Sequence, residues 1–199
     1  ISQTTYSPKS FNNKFGVPLS LFNLKKDDDF GIFEIGMDKK GEVDYLSKII
    51  KPDVGVITNI SYAHIKNFKN INQIALAKSE IIKNIKNNGY LILNKDDEFY
   101  NFHKKIGVKR NLKILSFSLK NKNATTYLDS ISKEKSKYKI SININKIKKI
   151  FYSNSFFESD LKNLLASITI ISIFKNIHKL DKNIFYDHKV TNGRGDIMK

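Results

Sequence analysis

Short apolar runs alternate with helical patterns as far as Leu119, and that alternation decides what the chain can fold into. FGIFEIGM (30–37), PDVGVITNI (52–60), GYLILN (89–94) and LKILSFSL (112–119) are bounded by Gly, Pro, Asp or Asn. Continuous apolar runs of this length suit strands buried on both faces. Between them, GEVDYLSKII (41–50), NINQIALAKSEIIKNI (70–85) and DDEFYNFHKKIG (96–107) carry helical spacing. Strand, helix, strand implies right-handed crossovers, and so an α/β fold with a mostly parallel sheet flanked by helices.

The texture changes after Lys120. The polar stretch KNKNATTYLDSISKEKSK reads as surface loops and hairpins, and YKISININ with KKIFYSN reads as a small antiparallel element added to the sheet. SDLKNLLASITIISIFKNI (159–177) reads as a helix with Ser159 or Asp160 as N-cap.

With 199 residues, 40% hydrophobic and 27% charged, the chain is large enough for a real core. It has no cysteine, which excludes disulfides and thiolate metal sites. No apolar run reaches the roughly 18 residues a membrane span needs, and ISQTTYSPKS has no signal-peptide character. A cytoplasmic monomer is the expectation. The formal charge of +16 invites a nucleic-acid reading, but Arg110 and Arg194 are the only arginines, and arginine reads phosphates and bases better than lysine does. The lysines arrive with abundant Asn and Ile, as AT-rich coding would produce. They are read as solvated surface that also suits anionic substrates such as nucleotides, with no specific nucleic-acid partner.

One residue breaks the helical pattern of 70–85. At 100° per residue Ile71, Ile74, Ala77, Ile81, Ile82 and Ile85 share an arc, and Lys78 projects from its middle. Asn70 is the expected N-cap with Gln73 as capping-box partner, so Lys78 lies about two turns in and its stem can reach the carboxyl edge of the sheet, where ligands gather. Glu34 sits near the carboxyl end of the first apolar run, inside FEIGM, and, flanked by Ile35 and Met37, is expected to need a cation. His64 follows the second run. If the two strands are neighbours, both open onto one edge. A partly desolvated lysine favours its neutral amine, which can add carbon dioxide and become a carbamate, a hard oxygen donor for a divalent metal that Glu34 and His64 would share. The remaining histidines, His103, His178 and His188, have no partner pattern and are expected at the surface.

These residues carry a resemblance. FNNKFGVPLSL (11–21), FEIGMDKKGEVDYL (33–46), PDVGVITNISYAH (52–64), ALAKSEII (75–82) and LILNKDDE (91–98) together resemble the central ATP-binding domain of the Mur ligases, in family order and spacing. The resemblance implies a P-loop NTPase-like fold and an ATP-dependent ligase that uses Mg2+ or Mn2+. The branch it most resembles joins D-alanyl-D-alanine to a UDP-N-acetylmuramoyl-tripeptide in peptidoglycan synthesis, through an acyl phosphate. It further implies Lys78 as the carbamylated lysine, Glu34 and His64 as metal ligands, Asn163 and Arg194 at ATP, and Asn12 and Asn13 near the UDP-muramoyl substrate.

The departures are equally specific. The family's GxxGK[ST] phosphate loop, expected before the Asn pair, occurs nowhere in the chain, and Lys9-Ser10 replace the preceding Gly-Asn. Ser159-Asp160 stand where the family has His-Asn. The expectation is therefore a partial central domain over 1–190, with 191–199 starting the connection to a carboxy-terminal domain, and no ATP turnover by these residues alone. Two other readings stay open: another Mur or folylpolyglutamate-type ligase, and a non-enzymatic basic binding module.

Overall fold

The computed structural model describes residues 2–62, 67–155 and 157–186. It divides into two compact units, one of residues up to 93 together with 97–114, the other of residues 94–96 and those from 115 onward.

In the first unit β1 (Thr4–Tyr6) and β2 (Phe30–Ile32) pair in parallel around α1 (Gly16–Phe22). After α2 (Glu42–Ile50) come β3 (Val54–Ile57), α3 (Ile71–Ser79), α4 (Ile81–Asn84) and β4 (Tyr90–Asn94). β3 and β4 run parallel, with Val54 opposite Tyr90 and Ile57 opposite Leu93, as a helical crossover requires. α5 (Tyr100–Lys109) then leads into β5 (Lys113–Ser118), which begins in the first unit and ends in the second.

Two apolar clusters hold this unit. Ile57, Ile82, Ile85, Leu91, Leu93 and Leu112 form one. Met37, Val43, Phe68, Ile74 and Ala77 form the other, with Ile35, Ile60 and Ile81 packed at its side. Each fully buried Leu or Ile side chain is worth about 1.5–3 kcal/mol of burial, so these residues anchor the loops that leave β2, β3 and β4.

Three expectations are corrected here. The run 30–37 is a strand only over Phe30–Ile32, and Ile32 is 62% exposed rather than buried on both faces. β2 pairs with β1 in a two-stranded sheet, and none of its three residues is buried. The helix expected over 70–85 is interrupted at Glu80, where Glu80 N donates to Ala77 O and Lys83 N to Glu80 O, i to i−3 bonds in place of the helical ones. Ile85 then turns extended. The third concerns α5, which starts at Tyr100 rather than Asp96, because Asp97 Oδ1 accepts from Phe99 N in a turn that opens the helix.

In the second unit β6 (Thr126–Glu134) pairs in parallel with β5, and β6, β7 (Lys137–Ile144) and β8 (Ile147–Ser153) form an antiparallel meander. Asn145 and Lys146, both at positive φ, make the two-residue β7–β8 hairpin. α6 (Glu158–Phe174) packs on β6 and β7, and a short 3-10 turn, Ile177–Lys179, follows. The parallel pairings with a small antiparallel element match the α/β expectation. The polar segment read as surface loops and hairpins holds β6, a nine-residue strand, mostly exposed, that forms a hairpin with β7. The cap of α6 differs. Phe157 occupies the N-cap position without a side-chain bond, and Asp160 sits inside the first turn, accepting from the Ser155 hydroxyl.

Candidate active site

α3 begins where its sequence says it should. The Asn70 side chain accepts from Gln73 N at 3.1 Å. The Gln73 side chain reaches back to accept from Lys69 N at 3.1 Å, one residue before the N-cap whose own N–H a capping box would use. With the helix start fixed, Ile74, Ala75, Ala77 and Ser79 are buried and Lys78 is half-buried among them. Its Nζ donates to Asn59 O at 2.8 Å, two residues beyond the end of β3. The stem thus follows the apolar side of α3 and delivers the nitrogen to the carboxyl end of a parallel strand. Burial pushes the Lys78 ammonium below its ordinary value of 10.5, and the Asp97 charge opposes that shift.

Glu34 lies two residues beyond β2 and is exposed, so its expected need for a cation is corrected: water solvates it. Its Oε1 accepts from Asn12 Nδ2 at 3.2 Å, and Gly36 N donates to Asn12 O at 2.7 Å. Two predicted site residues are thereby in contact. Gly36 lies so close to Asn12 that an added Cβ would meet the Asn12 side chain at 2.9 Å. Asn13 works on the backbone instead. Its Oδ1 accepts from Phe15 N and Gly16 N, each at 3.0 Å, which opens α1.

The condition under which Glu34 and His64 would open onto one edge, neighbouring strands, is not met, since β2 and β3 belong to different sheets. What links the Glu34 segment to α3 is packing: Ile35 lies against the cluster containing Ile74 and Ala77, and Ala77 directly precedes Lys78. His64 and Arg194 fall outside the described residues, as does His188. Asn163 is on an exposed face of α6 in the second unit. Among the described residues no group of three His, Cys, Asp or Glu side chains could hold a metal ion.

Four residues without an assigned role prove to be built into the first unit. Glu80, within the ALAKSEII segment, is 6% exposed, and its carboxylate accepts from Gly41 N and Asp44 N at the start of α2. His103 is 2% exposed, which corrects its expected surface position; its ring Nε2 lies 3.1 Å from Ala75 O. His178 is exposed as expected. Asp97, within LILNKDDE, accepts from Ile60 N at 2.7 Å. Only its place after an apolar run hinted at a role. Arg110 donates to Lys83 O and Ile85 O at 3.2 Å each, closing the end of α4. One of the two arginines thus serves the fold, which weakens the case for a nucleic-acid surface.

Chemically, the described site is a desolvated amine at a strand end, a solvated carboxylate nearby in the chain's packing, and an amide touching that carboxylate. Residues 1–171 match the family model described as Mur ligase middle domain. The chain is 38% identical over 134 residues to the UDP-N-acetylmuramoyl-tripeptide--D-alanyl-D-alanine ligase of Buchnera aphidicola subsp. Baizongia pistaciae, covering 66% of this chain and 28% of that protein. The Escherichia coli ligase of the same name is 30% identical over 108 residues, 54% of this chain and 24% of that one. In fold it is similar to MurF from Acinetobacter baumannii (TM-score 0.82, 24% identity, 89% of this chain, 38% of that chain). It is also similar to MurF from Thermotoga maritima in complex with ADP (TM-score 0.81, 22% identity, 97% and 44%). The chain spans 28% and 24% of the two curated relatives named. Among the described residues no helix is long and apolar enough to cross a membrane.

Proposed function

Because the chain belongs to the Mur ligase family, we propose that it is middle-domain sequence of an ATP-dependent ligase joining D-alanyl-D-alanine to a UDP-N-acetylmuramoyl-tripeptide, acting as a cytoplasmic monomer. The observation that carries this reading is the Lys78 amine, half-buried on α3 and held at the carboxyl end of β3. In that position a neutral amine adds carbon dioxide: the nitrogen lone pair forms an N–C bond, a proton leaves to water, and a cation becomes a carboxylate-like anion.

A divalent cation would be held by the solvated carboxylate of Glu34, the carbamate oxygens of Lys78 and the imidazole of His64, donor types that such an ion accepts. Mg2+ or Mn2+, when bound, supplies charge neutralisation at the ATP phosphates. Asn12 keeps the Glu34 carboxylate oriented through its amide, and Asn12 and Asn13 would face the UDP-muramoyl substrate. Asn163 contacts the adenine and Arg194 the phosphates. The terminal substrate carboxylate attacks the γ-phosphorus with release of ADP; the D-alanyl-D-alanine amine then adds to the acyl carbon and phosphate departs.

The test is phosphate release by the complete ligase carrying this segment, with both substrates and ATP present. Lys78→Ala should lower kcat by about a hundredfold or more, the scale of losing a group that stabilises transferring charge. Near wild-type turnover by that variant would overturn the proposal.

A further inference from the structure

The peptide group joining Asn59 to Ile60 is gripped at both ends. Lys78 Nζ donates to its carbonyl oxygen at 2.8 Å, and its N–H donates to Asp97 Oδ2 at 2.7 Å. Because the peptide unit is planar and stiff, fixing the N–H fixes the direction of the C=O. Asp97 is itself fixed: Oδ1 accepts from Phe99 N at 2.9 Å, and its carbonyl accepts from Tyr100 N at 3.0 Å.

Six residues later the same segment reaches the lysine's own helix. His103 N donates to Phe99 O at 3.0 Å, and the buried ring places Nε2 3.1 Å from Ala75 O. A carbonyl only accepts, so the ring carries its proton on Nε2 and donates. Ala75 is three residues before Lys78, one turn earlier on α3. Residues 97–103 therefore hold both the acceptor of the Lys78 amine and the helix from which Lys78 extends.

We propose that Asp97 and His103 are positioning residues for Lys78, a two-armed brace that sets where its nitrogen stands at the end of β3. The lysine stem has four rotatable carbons and no stiffness of its own, and a site that must meet phosphate oxygens tolerates displacements of only about 0.5 Å. One arm aims the Asn59 carbonyl, and the other fixes the turn of α3. The proposal rests on the reading of Lys78 as ligand platform for its catalytic consequence, though not for the geometry.

Two measurements on the complete ligase separate these. In competitive acetylation with acetic anhydride mapped by peptide mass spectrometry, Asp97→Ala and His103→Ala should raise the reactivity of Lys78 about tenfold relative to the other lysines, the scale of one lost charge-assisted hydrogen bond. Asp97→Asn and His103→Gln, which keep an acceptor and a donor in place, should stay within about threefold of wild type. In turnover assays the alanine variants should lose kcat about tenfold with the KM for ATP unchanged, and the conservative variants should recover most of it. Lys78 reactivity unchanged in both alanine variants, or raised equally at lysines throughout the chain, would overturn the brace. If Lys78→Ala turns over normally while the reactivity shifts as expected, the ligand-platform reading fails and the brace stands.

Discussion

The Glu80 carboxylate caps the start of α2 from across the unit: Gly41 N donates to its two oxygens at 2.9 and 3.0 Å, and Asp44 N donates at 3.1 Å. Gly41 sits at φ +92°, a conformation glycine adopts without strain, and this turns its N–H toward the acid. A buried carboxylate at a helix N-terminus satisfies orphan amides and complements the helix dipole. Glu80→Ala removes these bonds together and leaves buried donors unpaired, at a cost of about 2 kcal/mol. Hydrogen exchange should report it as an approximately thirtyfold loss of protection in 41–50. Protection unchanged there would show that the cap is dispensable.

The start of α3 makes a smaller prediction. Asn70→Ala deletes the side-chain acceptor for Gln73 N and should cost about 1 kcal/mol. Exchange in the first turn of α3 should accelerate about fivefold, while β4 stays as protected as before. Equal acceleration in both would mean that Asn70 supports the whole unit and not the helix start.

Acid should loosen the contact between α5 and α3. Burial holds the His103 imidazole below its ordinary value of 6.5, aided by the Lys78 charge and opposed by the Ala75 carbonyl and the Asp97 charge. The folded state therefore binds a proton less readily than the unfolded chain. Its contribution to stability is fully present above about pH 6.5 and declines as pH falls through the lowered folded value. Urea midpoints measured from about pH 8 to pH 5 should fall on the acid side in wild type and fall less in His103→Gln. Identical profiles would show that His103 does not couple stability to pH.

Much of this arrangement is legible in the chain, for identifiable reasons. GYLILN reads as a buried strand because four of the five residues of β4 are buried and none needs a polar face. NINQ reads as a helix start because cap and capping-box partner are local. Lys78 is conspicuous because its apolar neighbours recur at helical spacing around it, and its half-burial follows from them. What escapes is what depends on distant backbone. The hydrogen-bond partner of the His103 ring is the carbonyl of Ala75, which any residue there would supply. Glu80 lies in a helical pattern, and the amides it caps are 36 and 39 residues away. The full length of β6 escapes because four of its five exposed positions, Asp129, Ser130, Ser132 and Lys133, are polar and Thr126 alone is buried. Glu34 looks buried because its sequence neighbours are apolar, yet the two-stranded sheet before it leaves that edge open to water.

The same logic applies to Asn12. Its amide both touches Glu34 and lies under Gly36. Asn12→Ala should leave the fold intact but free the carboxylate to rotate, raising the Mg2+ concentration needed for half-maximal turnover of the complete ligase by about tenfold, with less effect on the KM for D-alanyl-D-alanine. An unchanged Mg2+ requirement would separate Asn12 from the proposed metal site.

The proposed chemistry turns on the chemical form of one side chain, and one measurement reads it. The complete ligase is equilibrated with isotope-labelled bicarbonate and examined by NMR, with turnover followed as carbon dioxide is stripped. A carbamate resonance that vanishes in Lys78→Ala, and activity that falls with it, is the predicted result. An active enzyme in which Lys78 carries no label would contradict it.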